Sequence, residues 1–378
     1  MGNYTEQMEN ELFLQFYGFD DYDEDYSVLV NMLNQESVFR SFGEGLLFYL
    51  QSKDSSLNKE TVIKYIEEKC AENNVPKNEV ASLNTLKNWF RNDLRPKKSE
   101  ESRKSIFALA FALKFNVKET AEMFHKVYLD RAFDFRNEKE IIYYYCLAND
   151  KSWNDAQLLI NEVEMISGKG LDKTVYTSQI EDEINNIKTN DELIEYIAEH
   201  KHNFEKKNVS AFKNMRKLME RAQLTAKIEA EKEEYRGAFS GSDRNSSSFL
   251  YEVITGQSVS GEKGTKTLFK NSRLPKEIKN RFPEAGTFSK KEPTYEELRK
   301  LIILLFSYSY WYKVQYDSEY AEDNDIEDYI SEIDSYLEDS GFSTMYYGNP
   351  YDWMFMYCSV SERPLDVFRG LLAIVLEE

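Results

Sequence analysis

The sequence predicts an all-α, multi-helical chain, and three observations carry that expectation. Helix start signals recur: Asn116-x-x-Glu119, Asn137-x-x-Glu140, Ser178-x-x-Glu181, Thr189-x-x-Glu192 and Thr294-x-x-Glu297 each set a short polar side chain three residues before a carboxylate. The first side chain can satisfy a free backbone N–H, and the second reaches back to the cap. Apolar residues repeat at helical spacing, and between Ser105 and Lys114 they surround the helix almost completely, which marks a buried element. Period-2 alternation with hairpin turns is sustained nowhere, and 15 Gly and 7 Pro are few for an all-β chain.

Helices are expected near 37–52, 59–73, 84–93, 99–114, 117–130, 137–149, 153–167, 175–187, 190–201, 209–236, 295–313, 325–338 and 363–376, with Pro350 early in a further one. The run Ser240 to Ser248 is small and polar, Ser258 to Lys266 holds two glycines, and Pro275, Pro283 and Pro293 punctuate the basic segment beyond them. The expected divisions are an acidic N-terminus over 1–25, a helical domain over 26–132 and a helical array over 133–239. A linker and basic segment over 240–293 and a C-terminal helical unit over 294–378 complete them. No repeat of fixed period is present, and the short helices of 99–201 fit a superhelical array or an ordinary bundle equally.

Composition excludes several classes. At 378 residues, with 41% hydrophobic and 14% aromatic residues, the chain can bury more than one core. Cys70, Cys146 and Cys358 lie far apart, which argues against a disulfide framework or a Cys-based zinc module and fits a reducing, cytoplasmic setting. No basic, apolar leader is readable at the N-terminus, and the apolar stretch Leu301 to Tyr312 is shorter than the roughly 20 residues of a bilayer span. No membrane association is expected.

The formal charge of −19 conceals an uneven distribution. Residues 1–30 hold eight acids and no base, and 317–339 hold eleven acids and no base. Two segments reverse the sign. Lys87 to Lys104 contains seven bases against three acids, and Glu262 to Lys291 contains nine against three. Solvated helix faces account for such runs as readily as binding does.

One local pattern is more specific. Glu60 to Ala71 is amphipathic, Pro76 can open a short second helix, and Asn84-Thr-Leu-Lys-Asn-Trp-Phe-Arg91 can form a third anchored by Leu86, Trp89 and Phe90. Asn92-Asp-Leu-Arg-Pro96 ends it, and the apolar 106–113 helix comes next. Residues 59–114 resemble the helix-turn-helix domain of Xre/Cro-type phage repressors. In that family a recognition helix of the form T-L-x-x-W precedes a basic, proline-ended turn and a Leu/Ala-rich helix. The resemblance implies that Lys87, Asn88 and Arg91 occupy the solvent face of a recognition helix. It implies also that Arg95, Lys97 and Lys98 lie beside the phosphate backbone of duplex DNA. The spacing departs from the family, because only Ser82 and Leu83 separate Ala81 from Asn84. A working DNA-binding module, a version retained only for packing and an unrelated helical trio all fit these residues.

Other motifs are weaker. Gly256 to Thr265 is glycine-rich, but Glu262 stands where a phosphate-binding loop requires Lys. His200 and His202 are two apart on a helix and diverge, so dipole compensation is simpler than metal binding. No nucleophile elbow and no Asp-x-Asp-x-Asp-Gly calcium loop is present. No catalytic residue, metal or cofactor is expected. The aromatic clusters 143–145, 308–312 and 345–357 belong mostly to core. Tyr351 and Trp353, next to the acidic helix with Glu327, Asp328, Glu332 and Asp334, could instead line a docking surface for a basic protein or peptide.

The leading expectation is a non-enzymatic, helix-turn-helix-containing regulator of bacterial or mobile-element type that binds DNA, a protein partner or both. The alternative is an acidic interaction protein, an accessory or inhibitor of a nucleic-acid-processing or defence system, whose helix-turn-helix is structural only.

Overall fold

The structure, a computed structural model, describes residues 31, 33–34, 39–165, 177–204, 209–232, 243–256, 278, 282–291, 293–317, 319–320 and 325–374. Among these residues all regular structure is helical: 17 α-helices, one π-helix and no strand. The chain divides into two compact units. One spans Arg40–Val209, and the other joins Met1–Phe39 to Ser210–Glu378.

The first unit comprises α1 (Phe42–Gln51), α2 (Val62–Glu72), α3 (Lys77–Val80), α4 (Leu83–Arg91), α5 (Glu100–Ala112), α6 (Val117–Glu122), a π-helix (Met123–Tyr128), α7 (Glu138–Ala148), α8 (Trp153–Glu164), α9 (Thr177–Asn186) and α10 (Asn190–Phe204). Its centre is α5, whose residues Ile106 to Ala112 are all buried. Helices α2, α3 and α8 pack on α5. Phe107 lies 4.6 Å from Phe124 and 4.9 Å from Tyr143, and Tyr143 stacks on Trp153 at 5.4 Å. The single helix expected over 117–130 is two elements, because the α-helical turn opens into the π-helix at Met123. Leu129, at φ 60°, ends it.

The capping boxes at Asn116/Glu119, Thr189/Glu192 and Thr294/Glu297 form. The one expected at Asn137 does not. Asn137 accepts from the Lys139 N–H, and Glu140 turns inward to a bidentate pair with Arg103, both contacts at 2.7 Å. The Arg103 guanidinium also donates to Asp130 at 2.9 Å and to the carbonyls of Arg131 and Ala132. Burial alone would push the Asp130 carboxyl up, but the charges of Arg103, Lys98 and Arg131 outweigh it and hold Asp130 below its ordinary range. Arg103 thereby ties α5 to α7 and to the segment between the π-helix and α7.

The second unit contains α11 (Val209–Glu229), α12 (Ser247–Thr255), α13 (Ala285–Phe288), α14 (Tyr295–Tyr316), α15 (Ile326–Asp339), α16 (Pro350–Val360) and α17 (Pro364–Ile374). Helix α14 is buried on every side from Leu298 to Trp311. Trp311 stacks on Phe355 at 5.4 Å and meets Phe368 at 5.2 Å, which joins α14 to α16 and α17. Two buried ion pairs staple this core. Arg299 grips Asp352 at 2.7 and 2.8 Å. Glu229 takes Arg369 at 2.9 Å and the Tyr308 hydroxyl at 2.7 Å.

The units are cut differently from the sequence divisions. Residues 133–209 stay with the first unit, whereas α11 joins the second, because Met215, Leu218, Ala222 and Ala226 belong to its core. The 240–293 segment is also more than a linker. Ser246 caps α12, and Phe249, Leu250, Val253 and Ile254 are buried with Ile278, Phe282 and Phe288. Most of the basic Glu262–Lys291 run, the glycine-rich loop and the acidic residues 1–30 lie outside the described residues.

Candidate nucleic-acid interface

Helix α4 is built by three local features. Ser82 is its cap; the Ser82 hydroxyl accepts from the Thr85 N–H at 3.1 Å. Leu86, Trp89 and Phe90 recur at helical spacing and are buried. Trp89 meets the Phe42 ring edge-on at 5.0 Å. Gly43 permits this packing of α1 on α4: a Cβ there would lie 2.0 Å from the Trp89 carbonyl oxygen and 2.9 Å from the Phe90 Cα. Helix α3 before it is a single turn packed on α5, and only Ala81 and Ser82 separate it from α4.

The opposite face of α4 meets solvent. Lys87 and Arg91 are exposed, four residues and therefore about one turn apart. Neither has an ion-pair partner among the described residues. Asn88 is half-buried between them, and its Oδ1 accepts from the Asn92 side chain at 2.9 Å. Leu83 and Leu94 are exposed at the two ends.

The basic turn after α4 departs from the expectation. Arg95 donates to the Val127 carbonyl at 2.6 Å and to the Arg40 carbonyl at 3.1 Å, and Lys98 donates to the Leu129 carbonyl. Both cations therefore close the C-terminal end of the π-helix, where carbonyls lack helical partners and the dipole is negative. They are removed from the phosphate-contact set. The Tyr128 hydroxyl donates to the Lys97 carbonyl at 2.6 Å, which fixes the same turn. The Lys97 side chain is exposed and has no ion pair among the described residues. Lys87, Asn88, Arg91 and Lys97 remain as the outward-facing polar set. Sequence reasoning missed Gly43, although a glycine inside an otherwise apolar helix pattern is its signal.

The expected docking surface on the acidic helix is also altered. Glu327, Asp328 and Glu332 are exposed on α15. Asp334 is half-buried and accepts from the Met345 N–H at 2.6 Å. Burial first, then the nearby Asp352 and Glu338 charges, push its carboxyl up to about 6, against the Met345 hydrogen bond and Arg299. Tyr351 and Trp353 are fully buried, and the Tyr351 hydroxyl donates to the Lys300 carbonyl at 2.9 Å. They are core residues and offer nothing to a partner, because α16 is apolar nearly all round and is enclosed by its neighbours.

A cleft of about 510 Å³ opens in the first unit beside the starts of α5 and α7. Its walls mix Glu100, Glu101 and Glu138 with Lys104, Arg136 and Lys139, so it presents no field of one sign. Among the described residues no group of three or more His, Cys, Asp or Glu is placed to hold a metal ion. No helix among them is long and apolar enough to cross a membrane. No protein-family model, curated protein or solved structure matches the chain.

Proposed function

We propose that the chain is a non-enzymatic, helix-turn-helix-containing regulatory protein of the cytoplasm that contacts duplex DNA through the outer face of α4. One observation carries the proposal: Lys87 and Arg91 project from a rigidly seated helix as unpaired cations one turn apart. Asn88 lies between them, and Asn and Arg are the side chains suited to adenine and guanine edges in a major groove. Lys97 adds a phosphate contact beyond the helix end. Leu83 and Leu94 would meet thymine methyls or sugar edges.

The test is retardation of duplex fragments at low salt, comparing the parent chain with Lys87→Ala/Arg91→Ala. Loss of retardation in a variant that melts like the parent supports the proposal, and retention contradicts it.

A second reading keeps this trio for packing alone. It is favoured by the single-turn α3 and by the use of Arg95 and Lys98 to close the π-helix. In that case the exposed carboxylates of α15 are the interaction surface, and no DNA fragment is retarded.

A further inference from the structure

The cleft beside the starts of α5 and α7 has a volume of about 510 Å³, inside the range of roughly 300–1,000 Å³ that small-molecule sites occupy. Phe107 of α5 and Tyr143 of α7 line it and are buried, so they form its floor. Their ring centroids are 4.9 Å apart. The Arg103–Glu140 pair ties the same two helices at 2.7 Å.

The walls carry both signs, but their charges are not equally available. Lys104 is taken by Glu79 at 2.6 Å and Lys139 by Glu164 at 2.7 Å. Lys201 donates to the Val163 carbonyl at 3.3 Å, and Arg136 and Glu100 are engaged as well. Both oxygens of Glu140 are occupied, by Arg103 and by the Asp134 N–H. Among the described residues that leaves two charged groups on the walls without a partner, Glu101 and Glu138. Each lies two residues before a member of the Arg103–Glu140 pair, Glu101 on α5 and Glu138 on α7. The cleft therefore offers an aromatic floor and, from each of two helices, one unused carboxylate.

An anion finds its cations already engaged in this cleft, and an uncharged apolar molecule gains nothing from the carboxylates. A cation with an apolar body uses both features. Ammonium N–H groups donate to carboxylates in charge-assisted hydrogen bonds, and methylene groups cover ring surface. We propose that the cleft binds a small aliphatic diamine, with one ammonium on Glu101, the other on Glu138 and the methylene chain across Phe107 and Tyr143. The site shares no residue with α4, so the proposal is independent of DNA binding.

The experiment is calorimetric titration of the full chain with 1,4-diaminobutane at physiological salt, without nucleic acid. The parent should bind one equivalent saturably. The monoamine n-butylamine reaches one carboxylate at a time and should bind about tenfold more weakly, or worse. Glu101→Gln and Glu138→Gln should each weaken the diamine by about tenfold or more. Both should melt close to the parent, because neither side chain is buried. Glu327→Gln/Glu332→Gln, on the exposed face of α15, controls for the general attraction of amines to a chain of net charge −19 and should bind as the parent does. No saturable binding by the parent, n-butylamine binding as tightly as the diamine, parental affinity in either cleft variant, or an equal loss in the α15 control would overturn the proposal.

Discussion

The Arg95 guanidinium donates to the carbonyl oxygen of Val127 at 2.6 Å, so a cation of the turn after α4 serves as the C-terminal stop of a π-helix. Arg95→Ala should lower stability by about 1–3 kcal/mol, the loss of a charge-assisted hydrogen bond to a helix end. Urea denaturation measures this. The folded variant should keep the DNA affinity of the parent, whereas Lys97→Ala should keep the stability and lose affinity.

Gly43 should tolerate no side chain. A methyl group 2.0 Å from the Trp89 carbonyl oxygen and 2.9 Å from the Phe90 Cα meets unyielding backbone, so α1 and α4 must separate. Gly43→Ala is expected to destabilise the first unit by at least about 1–3 kcal/mol, as overpacking does. Gly286→Ala is the control: nothing lies within 4 Å of that position, so it should melt like the parent.

Arg103 holds two buried carboxylates. Arg103→Met removes the guanidinium that pairs with both Glu140 and Asp130, leaving Lys98 and Arg131 beside Asp130, and should cost about 3–5 kcal/mol at neutral pH. Asp130 is held below its ordinary value, so its contribution is present above about pH 4 and is lost as pH falls through the lowered value. The variant should lose part of that acid sensitivity, which pH-dependent melting detects.

Asp334 should act with the opposite sign. Its carboxyl is raised to about 6, so the folded chain holds a proton that the unfolded chain has released. Stability from this group is full below about pH 4, falls as pH rises towards 6 and is level above. Asp334→Asn, which keeps an acceptor for the Met345 N–H, should remove that slope and raise neutral-pH stability by about 1–2 kcal/mol.

The helical class was legible because it is written locally. Caps such as Asn116/Glu119 and Thr294/Glu297, and the apolar runs of α5 and α14, need only a few neighbouring residues. What escaped the sequence depends on partners far along the chain. Glu140 has the spacing of a capping residue, and only the position of Arg103, 37 residues earlier, turns it inward. Arg95 and Lys98 look like phosphate contacts until the end of the π-helix, about 31 residues later, accepts them. Tyr351 and Trp353 could not be told from surface aromatics until Lys300 and Phe282 met the one and Phe39 the other. The exposure of Lys87 and Arg91 was legible because the buried positions Leu86, Trp89 and Phe90 dictate which side of α4 remains outside.

The central claim is that α4 presents its cations to duplex DNA, and a salt titration of duplex binding tests it most directly. Each phosphate contact contributes about −0.9 to the slope of log affinity against log salt concentration. The account predicts measurable low-salt binding by the parent. It also predicts a slope less steep by about 0.9 in Lys97→Ala, and weaker binding at low salt in Arg91→Ala, with melting unchanged in both. No duplex binding at low salt, or an affinity in Arg91→Ala equal to that of the parent, would contradict it.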